Sequence, residues 1–99
     1  MQGGDLLMVY KCVNMTEFHK LQNTGVMDTN SHWFYNERDA KRFSKIKDGT
    51  PYAVLEFDHY SISPAFVFCV GTNNFNTSKG VEIAVEIPIM NIRVARKVL

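Results

Sequence analysis

Two hydrophobic rhythms divide this chain, and the boundary between them limits what it can fold into. Over residues 14–24 and 37–47 the apolar residues recur every third or fourth position, as on the buried stripe of a helix. From Tyr52 onward they recur every second position, as on one face of a strand. A helical half followed by a run of strands leads to an α+β fold in which neighbouring strands pair mostly as antiparallel hairpins.

Residues 6–13 (LLMVYKCV) are rich in β-formers and predict a first strand. Asn14 or Thr16 can cap a short helix that faces inward through Phe18 and Leu21 and stops at Gly25. Residues 26–32 read as a polar turn, and Trp33-Phe34-Tyr35 as a short strand. Asn36, with Asp39 three residues on, predicts a capped second helix over 37–47 with Ala40, Phe43 and Ile46 inward. Lys41, Arg42, Lys45 and Lys47 then form its wet face, with Glu37 paired to Lys41. Strands follow at 52–57, 66–70, 81–87 and 92–99, with a long polar loop (GTNNFNTSKG) at 71–80. The expected order is β-α-(β)-α-β-β-β-β: two N-terminal helices on a four- to five-stranded, mainly antiparallel sheet. Residues 1–5 read as a flexible N-terminus or linker, and 6–99 as one domain.

Ninety-nine residues suffice for a single core. No apolar run approaches the roughly 20 residues of a membrane span. A net charge of +1 argues against a dedicated duplex-DNA binder but leaves room for a local phosphate-binding patch. Cys12 and Cys69 each sit in an apolar run and read as two small buried hydrophobes in a reduced protein. The glycine-rich phosphate loops, the HExxH pair and the GxSxG elbow are all missing from the sequence. His19, His32 and His59 are too scattered in sequence to predict a metal cage, so neither a metal nor a cofactor is expected.

Metal-free cleavage of RNA asks for less. A base takes the ribose 2′-OH proton, an acid protonates the leaving 5′-oxygen, and a cation steadies the charge on phosphorus. Candidate catalytic residues are His32, Lys11, His19 and Tyr35. Candidate RNA or phosphate contacts are Arg38, Trp33 as a stacking platform, and Thr77 and Lys79 in the glycine-flanked loop. Glu82 and Glu86, on one expected strand face about 13 Å apart, are too distant for a carboxylate dyad, so at most one would be catalytic. The other is expected to pair with Arg93 or Lys97.

The stretches VYKCVNMTEFHKLQNTG, HWFYNERDAKRF, PYAVLEF and GVEIAVEIPI together resemble the C-terminal toxin domains of bacterial polymorphic toxins, including the CdiA-type effectors of contact-dependent growth inhibition. The element order is similar to the barnase/EndoU/colicin/RelE ribonucleases. That resemblance implies a tRNA- or rRNA-cleaving toxin, monomeric until a cognate immunity protein binds it. It also implies delivery within a larger secreted or cell-surface protein and action in the target cell's cytoplasm. The ADP-ribosyltransferase toxins are the alternative, with Lys11, Tyr35 and Glu86 around NAD. Lys11 stands where that family has Arg, and Trp33-Phe34-Tyr35-Asn36 replaces its serine-bearing strand. A non-enzymatic binding or immunity-type protein is the third possibility.

Overall fold

The computed structural model describes residues 7–47, 50–70 and 80–98. Residues 1–5, expected to be a linker, and the loop carrying Thr77 and Lys79 lie outside them. The elements are β1 (Met8–Val13), α1 (Met15–Thr24), β2 (Val26–Met27), β3 (Ser31–Phe34), α2 (Glu37–Lys47), β4 (Ala53–Asp58), β5 (Val67–Val70), β6 (Gly80–Ile83), β7 (Ile87–Pro88) and β8 (Arg93–Lys97). Short 3-10 turns occupy His59–Ser61, Pro64–Phe66 and Ile89–Asn91.

The fold is α+β, as the two rhythms require. Both helices begin where side chains satisfy their free backbone donors. The Asn14 carboxamide oxygen accepts from the Glu17 N–H at 2.8 Å, while Glu17 accepts in return from the Asn14 N–H at 3.2 Å. Gly25, in the left-handed conformation at φ 79°, ends α1 with its N–H on the Leu21 carbonyl. At the start of α2, Asn36 accepts from the Asp39 N–H at 2.9 Å and donates to the Asp39 carboxylate at 2.9 Å.

The strands form a six-stranded sheet in the order β5-β6-β3-β1-β4-β8, and a separate two-stranded sheet, β2-β7. Every pairing is antiparallel. Among the described strands only β5 and β6 are also neighbours in the chain, so the expectation of successive hairpins gives way to long-range pairing. The expected strand over 81–87 is two strands: β6 ends at Ile83, and Ile87 pairs instead with Met27 in the small sheet. Glu82 and Glu86 therefore do not share a strand face. Strand β3 starts at Ser31, which moves His32 from the expected loop into the ladder.

Side-chain alternation gives the large sheet two unlike faces. One carries Val9, Val13, Trp33, Leu55, Phe57 and Ile83 against Phe18 and Leu21 of α1 and Ile87 of the small sheet. The other carries Cys12, Phe34 and Val54 against Ala40 and Phe43 of α2. Cys12 and Cys69 are both free; Cys12 is buried as expected, whereas Cys69 is exposed near the sheet edge. Where β6 passes β3, a side chain on Gly80 would overlap the Trp33 carbonyl oxygen and press on the Phe34 ring. Gly80→Ala is expected to cost about 1–3 kcal/mol, read as a lower urea midpoint, because backbone must shift to admit the methyl group. An unchanged midpoint would contradict this close approach.

Candidate functional site

On the α2 side of the large sheet, the β3–β6 register sets His32 directly opposite Glu82. The imidazole Nε2 lies 3.8 Å from the Glu82 carboxylate, and the two side chains are 29% and 34% exposed. The Phe43 ring of α2 stands 5.7 Å from the His32 ring. On the next strand Phe68 is the cross-strand partner of Glu82, and it is 53% exposed. The pair is thus reachable from solvent and flanked by an open aromatic ring. An imidazole beside a carboxylate can give one proton and take another.

The other expected site residues are scattered. Lys11 shares the strand parity of Val9 and Val13 and so lies on the α1 side, across the sheet from His32. His32 and Lys11 therefore do not form one site. His19 is exposed on α1, with its ring 6.3 Å from Phe18 and 6.5 Å from Tyr52. Tyr35 follows the end of β3, and its ring lies 6.1 Å from that of His59. Its hydroxyl pKa is raised, first by burial and then by Cys69 and Tyr60. Trp33 is fully buried, edge-on to Phe57 at 4.6 Å, and donates its indole N–H to the Ser31 hydroxyl at 2.8 Å. That corrects its reading as a base-stacking platform: Trp33 belongs to the core, and the exposed ring near His32 is Phe68. Glu86 belongs to no strand of the large sheet and immediately precedes β7.

Arg38 does join a constellation. With Lys41 and Arg42, at the spacing that aligns residues on a helix surface, it lines an open groove of about 520 Å³ closed by Pro51 and Val98. The neighbouring edge strand β8 adds Arg93 and Arg96, while its Lys97 faces the α1 side. Arg93 donates to Glu56 at 3.0 Å, and Arg96 pairs with Glu37 at 2.9 Å, replacing the expected Glu37–Lys41 and Glu–Arg93 hairpin pairings. Lys97 sits over the Phe18 and Tyr52 rings at 5.6 and 5.7 Å. Cations thus gather on α2 and β8, with Glu37 and Glu56 paired among them. Sequence spacing pointed to the α2 cations, but neither the cross-strand partner of His32 nor the groove has a local signal.

His59 is buried, and burial lowers its pKa against the opposing pull of Asp58. The unfolded chain then binds a proton at mildly acidic pH that the folded chain refuses. This contribution to stability is complete above the unfolded value near 6.5 and is lost as pH falls through and below it. Urea unfolding at pH 7.5 and 5.5 is expected to show a larger drop for the wild type than for His59→Phe. Equal drops would contradict it.

Among the described residues no group of three His, Cys, Asp or Glu side chains could hold a metal ion, and no helix is long and apolar enough to cross a membrane. No protein-family model, curated protein or solved structure matches the chain.

Proposed function

We propose that the domain binds RNA along its α2 side and cleaves it at the His32–Glu82 pair. The observation that carries this reading is the partly exposed cross-strand pair, 3.8 Å apart, with Phe68 exposed beside it. Glu82 removes the ribose 2′-OH proton, the 2′-oxygen forms a bond to phosphorus, and the bond from phosphorus to the 5′-oxygen breaks. His32, protonated, donates to that leaving oxygen, which leaves a 2′,3′-cyclic phosphate and a 5′-hydroxyl. Phe68 offers a face for the adjacent base, and Arg38, Lys41 and Arg42 draw in the phosphate chain. Lys11, His19 and Tyr35 have no part in the reaction. By its resemblance the domain is a toxin that takes tRNA as substrate, is delivered by a larger secreted protein and is neutralised by an immunity protein.

Induced expression in a bacterium, with total RNA resolved on a gel, tests the reading: growth arrest with discrete tRNA fragments supports it, and harmless expression opposes it. The groove has its own test. Arg38→Ala and Arg42→Ala are each expected to weaken RNA binding across sequences and to flatten the dependence of log affinity on log salt by roughly 1 unit. An unchanged salt slope in the double variant would remove the groove from the binding surface.

One observation favours ADP-ribosyl transfer as a second reading. Lys11 lies on the face against which Ile87, the neighbour of Glu86, is packed. Growth arrest with intact RNA and label transferred from NAD to cell protein would move the assignment there.

A further inference from the structure

Beside the His32–Glu82 pair the chain leaves two large apolar side chains in solvent: Phe66 is 43% exposed and Phe68 53% exposed. Local hydrogen bonds fix where their backbone stands. The Ser63 hydroxyl accepts from the Ala65 N–H at 3.3 Å, and the Phe66 N–H donates to the Ser63 carbonyl at 2.9 Å. A 3-10 turn opened by Pro64 thus ends on Phe66. The Phe66 carbonyl then accepts from the Ala84 N–H at 2.8 Å, one step before Val67 pairs with Ile83 and Phe68 with Glu82. The ladder to β6 therefore already holds the chain at Phe66.

Strand parity places the two side chains. Val67 packs against the α1-side core, so its neighbours Phe66 and Phe68 stand on the α2 side of the sheet. That is the face of Glu82 and His32, the next residues inward across β6 and β3. Residues two apart on a strand are separated by about 7 Å. Bases stacked in a duplex repeat every ~3.4 Å along the strand, half that spacing. Side chains at the wider interval meet successive bases only where the nucleic acid strand is splayed. Cleavage from the 2′-oxygen asks for the same thing. An A-form duplex holds that oxygen out of line with the leaving 5′-oxygen, and its base faces are covered by their neighbours. Stacking on a phenyl ring needs a free π face, which every unpaired base has, and no particular base edge.

We infer that Phe66 and Phe68 form a subsite for two successive unpaired nucleobases, which makes single-stranded or looped RNA, and not continuous duplex, the substrate of the neighbouring pair. The subsite rests on the reading of the α2 side as an RNA-binding surface. The neighbours favour RNA over a second protein as its occupant. The centre of a protein interface is poor in charge and continues in apolar side chains. Here the side chains next inward from Phe68 are a carboxylate and an imidazole, 3.8 Å apart and both part-exposed. The loops of a tRNA offer unpaired segments of the kind required.

The test is fluorescence anisotropy of the whole chain with a short labelled RNA of non-self-complementary sequence, offered as a single strand and annealed to its complement. Its 2′-hydroxyls are methylated, so binding is read without cleavage. The single strand is expected to bind roughly tenfold more tightly than the duplex, or better. Phe66→Ala and Phe68→Ala are each expected to weaken single-strand binding roughly 5- to 100-fold, the worth of one stacked base, with the salt slope unchanged because no phosphate contact is lost. Phe66→Trp and Phe68→Trp should keep the affinity. If an alanine variant fails to fold by circular dichroism, leucine at that position, which keeps apolar bulk without a π face, decides instead. Duplex binding as tight as the single strand's, undiminished binding in a deciding variant, loss of self-association rather than of RNA binding in those variants, or no saturable binding would each overturn the inference. Cleavage of tRNA with an unchanged KM in both alanine variants would remove the subsite and leave the His32–Glu82 reaction in place. Single-strand binding through both rings with tRNA left intact would keep the subsite and remove the reaction.

Discussion

His32→Ala is expected to slow RNA cleavage by roughly 10²–10⁴-fold while leaving the melting temperature almost unchanged. The imidazole is the acid in the proposed reaction, and no second histidine stands on that side of the sheet to replace it, His19 being on α1 and His59 at the far face. It is part-exposed, with its ring 5.7 Å from that of Phe43, so its loss should cost less than about 1 kcal/mol of stability. Glu82→Gln keeps the shape of its partner and removes the base. A comparable loss of rate is expected. Full activity in folded His32→Ala would remove the pair from the chemistry. A loss of activity that tracked a loss of secondary structure would make His32 a packing residue only.

The largest structural effect is expected one residue further on. Trp33→Ala should destabilise the domain by about 3–5 kcal/mol, a large part of the 5–15 kcal/mol that domains of this kind possess. The indole is fully buried, packs on Phe57 and satisfies the Ser31 hydroxyl, so truncation opens a cavity and orphans a buried polar group together. A fall in the melting point of more than 10 °C is the expected readout. Trp33→Phe should lose less, since a ring still fills most of the space. A variant with a native melting curve and weakened RNA binding would contradict the core assignment and restore Trp33 as a stacking platform.

Neighbouring residues with such different fates explain what could be read from the sequence. The helices were legible because their signals are local: Asn14 with Glu17, Asn36 with Asp39 and Gly25 in its left-handed cap act within a few residues of the chain. The α+β class followed from the change of period. Strand β3 was harder, because Ser31 and His32 look like loop and become strand only through pairing with Ile83 and Glu82, some fifty residues away. The alternation that predicted one strand over 81–87 was real but misleading: Val81, Ile83 and Ile87 are all buried, yet a break after Ile83 hands the last of them to a different sheet. Which of three consecutive aromatics faces the core depends on which face each covering element chooses, and no local residue carries that information. The same holds for the candidate site. His32 was picked for its chemistry, but Glu82 joins it through strand order, and Lys11 leaves it through the parity of β1. Phe68 and the groove around Arg38 exist only once β5 and β8 take the two edges of the sheet.

The central claim is that this domain cuts RNA by acid–base chemistry at His32 and Glu82 without a metal. Purified protein incubated with bacterial tRNA in excess EDTA, with the fragment ends identified by mass spectrometry, tests it most directly. The account predicts discrete fragments ending in 2′,3′-cyclic phosphate, formed at the same rate with and without the chelator. Intact tRNA, or cleavage that disappears with EDTA, would contradict it.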